Sequence, residues 1–364
     1  MKINYDFYSG QDLYSDGDIE NEIIEYAKSG KSADEIFKDD MRWPVFYHLS
    51  PIRQNVLNWY PFEEGAEVLE IGAGMGAITE CLCDNCKSVV SVELSKNRAS
   101  CIAARNADKD NLEIIVANFN DIDFKDRKFD YITLIGVFEY AKLYTGTDTP
   151  FNSFLDKIKG LLKENGKLLI AIENQFGIKY FAGAPEDHLG QRFLSFTGYD
   201  ESFHVKTFGK KELKKVLAKS GFKFTQFYYP LPDYKLPLKI FSDKCLPTEK
   251  SIEEYTPYYL EGSSVIFDEI AAYKEIIKNG EFDFFANSFI VECSREKIET
   301  KVDCKSLELT GISAVSKDFF VNKYNESNKD EEIKSLNEKV SEFENSTSWK
   351  ITKPIRKVKD MFSK

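Results

Sequence analysis

The sequence predicts an α/β fold in which a doubly wound, seven-stranded sheet is covered by helices on both faces. Between residues 67 and 229, six short apolar runs alternate with stretches of helical periodicity, and a seventh apolar run follows at 288–293. A loop with glycine at positions 72, 74 and 76 directly follows the first run. With 42% hydrophobic and 30% charged residues, the 364-residue chain has the composition of a folded protein with a sizeable core.

Residues 1–60 precede the first strand and predict a set of polar helices. Ser32 and Glu35 stand three positions apart, which indicates a capping box at the start of a helix. Pro51 suits the first turn of a further helix, because it lacks the backbone N–H that would stay unpaired there. We expect this segment to act as a lid or to anchor the α/β domain.

The α/β domain is predicted over 61–293. Two long stretches, 174–208 and 230–287, interrupt the alternation of strands and helices, and loops in such places usually choose substrates. Gly166 and Gly221 follow two of the helices, where a left-handed residue is favoured. The predicted strands are 68–71, 89–93, 113–117, 131–137, 167–173, 222–229 and 288–293, with helices near 76–83, 96–107, 151–163 and 210–219.

The glycine-rich loop is the strongest local signal in the chain. Gly72, Gly74 and Gly76 connect an apolar strand to a helix, and glycine lets the backbone approach a ligand closely. With Ala77 in the last place, the loop also fits the dinucleotide fingerprint Gly-x-Gly-x-x-Gly/Ala. The loop by itself therefore leaves open which cofactor it binds.

Acidic residues around the loop indicate which cofactor it binds. Glu70 stands two positions before the first glycine, and Glu93 ends the second predicted strand. With these residues the segment 68–76 resembles the first motif of the class I S-adenosylmethionine-dependent methyltransferases, whose fold is Rossmann-like. S-adenosylmethionine carries a sulfonium and an ammonium, which acidic groups attract, whereas a carboxylate beside a pyrophosphate would repel it.

The resemblance implies a binding role for residues at several strand ends. Glu93 would accept hydrogen bonds from both ribose hydroxyls, Asn118 would lie beside the adenine amine, and Phe119 would pack on the ring. The cofactor-binding residues implied in this way are Glu70, Gly72, Ala73, Gly74, Gly76, Glu93, Leu94, Asn118, Phe119 and Gly136.

The long loop 171–190, together with Phe208 and the segment 228–235, resembles a bacterial methyltransferase subgroup that accompanies glycosyltransferases in cell-surface polysaccharide assembly. This implies a sugar nucleotide or a glycan as the acceptor, methylated first of all on a hydroxyl and otherwise on an amine or a phosphate oxygen. Tyr180, Tyr228 and Tyr234 could present flat faces to a sugar ring, although core packing explains any single aromatic equally well.

Methyl transfer to a hydroxyl needs a base, and His188 is the candidate. A histidine titrates near neutral pH, and the neighbouring carboxylates Asp187 and Glu186 could orient its ring. The alternative is that these three residues form a polar cluster that only stabilises the loop.

No metal site is predicted. Cys81, Cys83 and Cys86 have a zinc-like spacing, but a fourth ligand is missing nearby and the first two lie on a predicted helix. We expect free thiols.

The C-terminal part is predicted as a linker, 294–332, and a helical basic tail, 333–364. Residues 346–364 carry six basic side chains and one acidic side chain, a net charge of +5 on a chain whose remainder is −16. The tail also resembles those of bacterial glycosyltransferases. We expect it to dock on an anionic membrane or on a glycosyltransferase, with packing on its own domain or a solvated end as the alternatives.

The overall charge and the apolar runs set further expectations. A formal charge of −11 disfavours broad nucleic-acid binding. The start of the chain has no pattern of an export signal, and the apolar runs are far shorter than the roughly 20 residues that cross a bilayer. The predicted location is cytoplasmic, either free or peripheral at the inner face of the membrane.

Two rival functions share the same features. An NAD(P)-dependent sugar oxidoreductase or epimerase would use the same glycine loop, but Tyr140 is followed four positions later by Tyr144 instead of the lysine that chemistry needs. A non-catalytic scaffold for glycosyltransferases would have no need of an intact Glu70 and Glu93.

Overall fold

A nine-stranded sheet forms the centre of the computed structural model. The structure describes residues 1–12, 15–252, 266–299, 318–319, 338–343, 345–347 and 349–350. The strand order is β1-β4-β3-β2-β5-β6-β9-β7-β8. The strands are β1 (Lys2–Asn4), β2 (Glu67–Ile71), β3 (Ser88–Glu93), β4 (Leu112–Val116), β5 (Phe129–Ile135), β6 (Leu162–Glu173), β7 (Phe224–Leu231), β8 (Lys239–Ser242) and β9 (Ser288–Ser294).

Helices connect the strands, and short 3₁₀ helices lie at Pro51–Val56, Phe119–Asp121, Phe138–Tyr140 and Lys250–Ile252. The α-helices are α1 (Ile19–Lys28), α2 (Ala33–Asp39), α3 (Trp43–Leu49), α4 (Thr79–Asn85), α5 (Lys96–Arg105), α6 (Ala141–Tyr144), α7 (Pro150–Leu161), α8 (Ile178–Phe181), α9 (Leu194–Thr197), α10 (Lys210–Lys219), α11 (Glu269–Lys278) and α12 (Phe282–Phe285).

The doubly wound α/β fold is confirmed, and all seven predicted strands are present within two residues at most boundaries. The count of seven is corrected to nine, because β1 pairs with β4 and β8 pairs with β7 at the two edges of the sheet. These strands have only three and four residues. Edge strands this short carry little periodic pattern, which is why the sequence did not reveal them.

The two glycines expected after helices behave differently. Gly221 follows α10 with a φ of +96°, the left-handed conformation that was predicted. Gly166 instead lies inside β6, where a Cβ would come 2.9 Å from the carbonyl oxygen of Phe129. Close approach of the neighbouring strand, and not a helix C-terminus, explains the glycine at 166.

Strand β2 lies between β3 and β5, and all three are parallel. The chain winds outward from β2 in both directions, so the loops after β2 and β5 separate and leave a crevice at the carboxyl ends of the strands. Alternate residues of β2 belong to different cores, since Leu69 packs in one apolar cluster and Val68 in the other. The sheet is therefore covered on both faces.

The N-terminal helices pack on the α/β domain. The capping box is present at α2, where the Ser32 hydroxyl accepts a hydrogen bond from the Glu35 amide. Phe46 and Ile52 form an apolar cluster with Leu236, and the ring of Phe319 stacks on Phe46 with centroids 3.9 Å apart. Pro51 begins a 3₁₀ helix and not an α-helix.

Much of the C-terminal part lies outside the described residues, so the predicted linker 294–332 and basic tail 333–364 keep the status of predictions. Within the described part of the chain, no helix combines the length and the apolar character needed to span a bilayer.

Candidate active site

A cleft of about 590 Å³ opens at the carboxyl ends of β2, β3, β4 and β5. One end is lined by the glycine loop and Glu93, and the other by Glu139, His188 and Lys235. The cleft is thus continuous from the predicted cofactor residues to the loop that contains the predicted base. Its volume lies in the range of sites for small molecules and cofactors.

The glycine loop lines the cleft with backbone, and its shape depends on the missing side chains. Gly72 has a φ of +72°, and a Cβ there would lie 2.5 Å from Cγ2 of Val137. Gly76 has a φ of +78°, and its Cβ would lie 3.0 Å from the Cα of Ile102 in α5. Both the left-handed backbone and the close packing exclude larger residues.

Glu93 connects the loop to the end of β3. Its Oε2 accepts a hydrogen bond from the Gly74 amide at 2.8 Å, and its Oε1 accepts one from the Ser95 amide at 3.0 Å. Burial raises the pKa of this carboxyl, while Arg98 and the backbone amides act in the opposite direction. Each oxygen keeps a second lone pair, so the carboxylate can accept further hydrogen bonds from a ligand.

The carboxylate of Glu70 is held by hydrogen bonds from two hydroxyl side chains of the protein. Its Oε2 accepts hydrogen bonds from the hydroxyls of Thr79, at 2.7 Å, and Ser91, at 2.6 Å. Burial raises its pKa, and these two hydrogen bonds oppose the shift. Because Glu70 also lines the cleft, it both braces the loop against β3 and places negative charge at the cofactor end.

Nine of the ten predicted cofactor residues line the cleft; Gly76 instead packs behind the loop against α5. Asn118 caps the 3₁₀ helix Phe119–Asp121 through a hydrogen bond from the Asn120 amide to its Oδ1. Phe119 is packed edge-on against Phe154. Two buried carboxylates, an amide side chain and exposed loop backbone meet in one cleft. This set of groups fits a nucleoside cofactor that carries positive charge.

Three side chains from three chain segments converge at the other end of the cleft. Glu139 lies in the 3₁₀ helix after β5, Glu173 ends β6, and His188 lies in the following loop. One ligand atom of each lies within 4.8 Å of the others, and His188 Nε2 is 3.4 Å from Glu173 Oε2. We call these three residues the acidic cluster.

Comparison with known proteins identifies the central part of the chain that lines this cleft. Residues 69–170 match a family described as a methyltransferase domain. The chain contains a class I methyltransferase domain. S-adenosylmethionine is the cofactor of such domains, and the match covers the glycine loop, Glu93 and the strand that leads to Glu173.

Individual relatives are more distant. An uncharacterised protein of Methanocaldococcus jannaschii is 32% identical over 104 residues, which is 29% of this chain and 43% of that protein. The chain therefore spans less than half the length of this curated relative.

Solved structures include a complex between the Haloferax volcanii Trm112 methyltransferase activator and a methyltransferase described as putative. The TM-score is 0.43 at 16% identity, over 76% of this chain and 98% of that chain. Phosphoethanolamine N-methyltransferase 2 of Haemonchus contortus gives 0.39 at 16% identity, over 67% and 52%.

The side chains of the acidic cluster shift one another's pKa values. Burial opposes a charge on the His188 ring, but Glu173 outweighs this effect and raises the pKa of His188 to about 9. Burial, with the charge of Glu173 added, raises the pKa of Glu139 to about 8. Both shifts depend on the charge of the neighbouring Glu173.

The ring of His188 is oriented by residues other than those predicted. The Tyr140 hydroxyl is hydrogen-bonded to Nδ1 at 2.8 Å, and Glu173 faces Nε2. Asp187 instead accepts hydrogen bonds from the Tyr180 hydroxyl and from the ammonium of Lys235, both at 2.5 Å. The expected orientation of the ring by Asp187 or Glu186 is thus corrected, because adjacent side chains of this loop point in different directions.

Glu186 shapes the loop that contains His188 through the backbone. Its Oε2 accepts hydrogen bonds from the amides of His188, at 2.8 Å, and Leu189, at 2.6 Å, while Oε1 accepts one from the Tyr199 hydroxyl. Glu186 therefore positions His188 by holding its main chain and not its ring.

Of the three candidate tyrosines, Tyr234 lines the cleft. Its hydroxyl donates a hydrogen bond to Glu173 Oε1 at 3.2 Å. Tyr180 is buried in α8, and Tyr228 is buried in β7 against Trp59. For Tyr180 and Tyr228, core packing is the correct interpretation.

The cysteines at 81, 83 and 86 are buried free thiols, and burial raises the pKa of each to about 12.

Sequence reasoning missed Glu139 and Glu173. Glu173 ends a predicted strand, as Glu93 does, and Glu139 stands two positions after another, so their positions at the carboxyl edge of the sheet were available as a signal. Their pairing with His188 was not, because it depends on how the loop 174–208 folds back over β6. Lys235 was missed for the same reason, since it reaches Glu173 across 62 residues of sequence.

Proposed function

We propose that this chain transfers a methyl group from S-adenosylmethionine to a hydroxyl of a sugar nucleotide or glycan, in the assembly of bacterial cell-surface polysaccharide. The cofactor chemistry follows from the methyltransferase domain. The acceptor class is supported by the acidic cluster and by the subgroup resemblance of the loop 171–190.

The observation that carries the acceptor chemistry is a set of buried oxygens without hydrogen bonds. Both side-chain oxygens of Glu139 and Oε2 of Glu173 have no hydrogen-bond partner among the described residues, although both side chains are fully buried. Unpaired buried carboxylate oxygens are costly unless a ligand supplies donors. A hydroxyl or an ammonium supplies such donors, whereas a phosphate or carboxylate does not.

The cluster also offers a place for the proton that a hydroxyl loses on methylation. Methyl transfer is an in-line displacement, so most of the rate comes from positioning the nucleophile against the methyl group. His188 stays the proposed acid–base residue, with Glu139 beside it as the group that meets the hydroxyl. Tyr140 and Glu173 would keep the imidazole in place.

Calorimetry with S-adenosylhomocysteine and, separately, NADH tests the cofactor half of this proposal. Micromolar binding of S-adenosylhomocysteine without binding of NADH is expected. Binding of NADH alone would favour the rival function of an NAD(P)-dependent sugar oxidoreductase or epimerase. Binding of neither compound would favour a non-catalytic scaffold for glycosyltransferases. The acceptor is then sought by transfer of labelled methyl groups to a panel of nucleotide sugars and lipid-free glycans, with phosphate monoesters as the contrasting class.

The basic tail is proposed to hold the enzyme at an anionic membrane surface, where glycan assembly takes place. Cosedimentation with vesicles of anionic and of zwitterionic phospholipid tests this. Reversal of Lys353, Arg356 and Lys357 to glutamate should abolish sedimentation with anionic vesicles, while reversal of the exposed Lys125 and Lys128 should not. Equal binding by both variants would contradict the docking role.

A further inference from the structure

The acidic cluster has a geometry that also suits a metal ion. Glu139, Glu173 and His188 each direct one ligand atom toward a common region, within 4.8 Å of one another. A cation that binds oxygen and nitrogen at about 2.0–2.4 Å can touch three atoms spaced in this way. The three residues come from a 3₁₀ helix, a strand end and a loop, so the fold has to bring them together.

The ligand atoms are left open by the contacts around them. Glu173 uses Oε1 for Lys235, at 2.6 Å, and for Tyr234, which leaves Oε2 facing the cluster. His188 uses Nδ1 for the Tyr140 hydroxyl, which leaves Nε2. Glu139 is completely buried, and neither of its oxygens has a hydrogen-bond partner in the described part of the chain.

This pattern is typical of metal ligands. An imidazole that binds a metal through one nitrogen usually donates its other N–H to an oxygen, and metal-binding carboxylates are themselves oriented by hydrogen bonds. Tyr140 is placed to accept from His188 Nδ1, and Lys235 orients Glu173. The two residues thus occupy the supporting positions that a metal site needs.

The charged side chains around the acidic cluster also favour a bound cation. Four buried carboxylates meet here, because Asp187 and Asp233 lie next to the cluster. The two lysines that pair with them are Lys179, with Asp187 and Asp233, and Lys235, with Glu173 and Asp187. Metal binding requires an ionised Glu139 and a neutral imidazole. In that state four negative and two positive charges leave −2, which one divalent cation neutralises.

We propose that Glu139, Glu173 and His188 bind a divalent cation at the acceptor end of the cleft. Two carboxylates and one imidazole suit Mn²⁺ or Zn²⁺, and three protein ligands leave positions open for an oxygen of the acceptor. Binding of the cation is independent of methyl transfer. A bound cation would occupy Nε2 of His188 and would replace the imidazole as the group that prepares an acceptor hydroxyl for deprotonation, and this use rests on the proposed function.

Mn²⁺ is the probe for the site. The full chain, freed of metal with EDTA, is titrated with Mn²⁺, and the free ion is followed by electron paramagnetic resonance. One saturable site per chain is expected. Glu139→Gln and His188→Gln should each weaken Mn²⁺ binding by roughly tenfold or more, in proteins whose circular dichroism shows that they are folded.

Glu292→Gln is the matched control. Glu292 is also a buried carboxylate, paired with Lys167 at 2.9 Å, but it lies away from the cleft on β9. This variant should bind Mn²⁺ like the wild type. The proposal would be overturned if the wild type had no saturable Mn²⁺ site, or if Glu139→Gln bound Mn²⁺ as tightly as the wild type. It would also be overturned if the wild type bound methylammonium at this site and did not bind Mn²⁺.

The failure of the site and the failure of the proposed function have different signatures. Wild-type protein that binds S-adenosylhomocysteine normally but does not bind Mn²⁺ would refute the cation site alone. Wild-type protein that binds Mn²⁺ but not S-adenosylhomocysteine would refute the methyltransferase proposal and leave the site standing. Glu139→Gln is expected to keep its affinity for S-adenosylhomocysteine, since Glu139 belongs to the acceptor end.

Discussion

Glu93 accepts a hydrogen bond from the backbone amide of Gly74 at 2.8 Å, so the carboxylate that ends β3 is joined to the glycine loop that follows β2. The contact sets the distance between the two elements that flank the cofactor end of the cleft. Glu93 therefore has a structural role in addition to the role proposed for it in binding the ribose of the cofactor.

Substitution of Glu93 should weaken cofactor binding. Glu93→Gln preserves the size of the side chain but removes its charge and one acceptor oxygen. Because hydrogen bonds to charged groups contribute about 1.5–3 kcal/mol, the Kd for S-adenosylhomocysteine should rise by at least about tenfold in calorimetry. Glu292→Gln provides the comparison for a buried carboxylate elsewhere, and an unchanged Kd in Glu93→Gln would refute the ribose-binding role.

Gly72→Ala should damage the loop through two separable effects. The alanine would have to adopt a φ of +72° and would place its Cβ 2.5 Å from Val137. Gly30 has a φ of +70°, and no atom lies within 4 Å of the point that a Cβ would occupy there. Gly30→Ala therefore carries the backbone strain of about 1–2 kcal/mol without the clash.

Thermal unfolding and S-adenosylhomocysteine binding measure the difference between these two variants. Gly72→Ala is expected to unfold at a lower temperature than Gly30→Ala and to lose affinity for the cofactor. If the two variants behave alike, close packing against Val137 is not what requires glycine at position 72.

Asp187 should matter for stability more than for orientation of the His188 ring. It is a buried carboxylate that pairs with both Lys179 and Lys235. Asp187→Asn removes its charge while each lysine keeps a second carboxylate, so we expect a loss of about 3 kcal/mol, the lower end for a broken buried pair. Asp39→Asn, in an exposed pair with Lys31, should show no measurable change in denaturant unfolding. Equal stability of the two variants would contradict this assignment.

His188→Gln tests the acid–base role once the methyl-transfer screen has identified an acceptor. Turnover should fall by roughly 10²-fold or more while the Kd for S-adenosylhomocysteine is unchanged. His204→Gln, an exposed histidine of the same long loop, should keep normal turnover. Near-normal turnover of His188→Gln would instead favour the interpretation of the loop as a purely structural polar cluster.

Local sequence patterns were sufficient for the central strands and for the cofactor end of the cleft. The alternation of apolar runs and helical stretches reports on burial within a few residues, and the carboxyl ends of parallel strands must meet at one edge of the sheet. For this reason Glu70, Glu93 and Asn118 could be assigned to one crevice before their positions were known, and they do line one cleft.

The acceptor end was decided by the tertiary structure. Glu139, Glu173 and Lys235 become neighbours of His188 only because two long insertions return to the same strand ends, and no periodic pattern encodes such a return. The edge strands β1 and β8 are similar cases, since their pairing depends on a neighbour and not on their own three or four residues. The sequence by itself determined the α/β sheet and the glycine loop, because short-range periodicity specifies them. The partners of His188 and the convergence of the acidic cluster required the folded chain, because contacts across 48 to 62 residues depend on how the insertions pack.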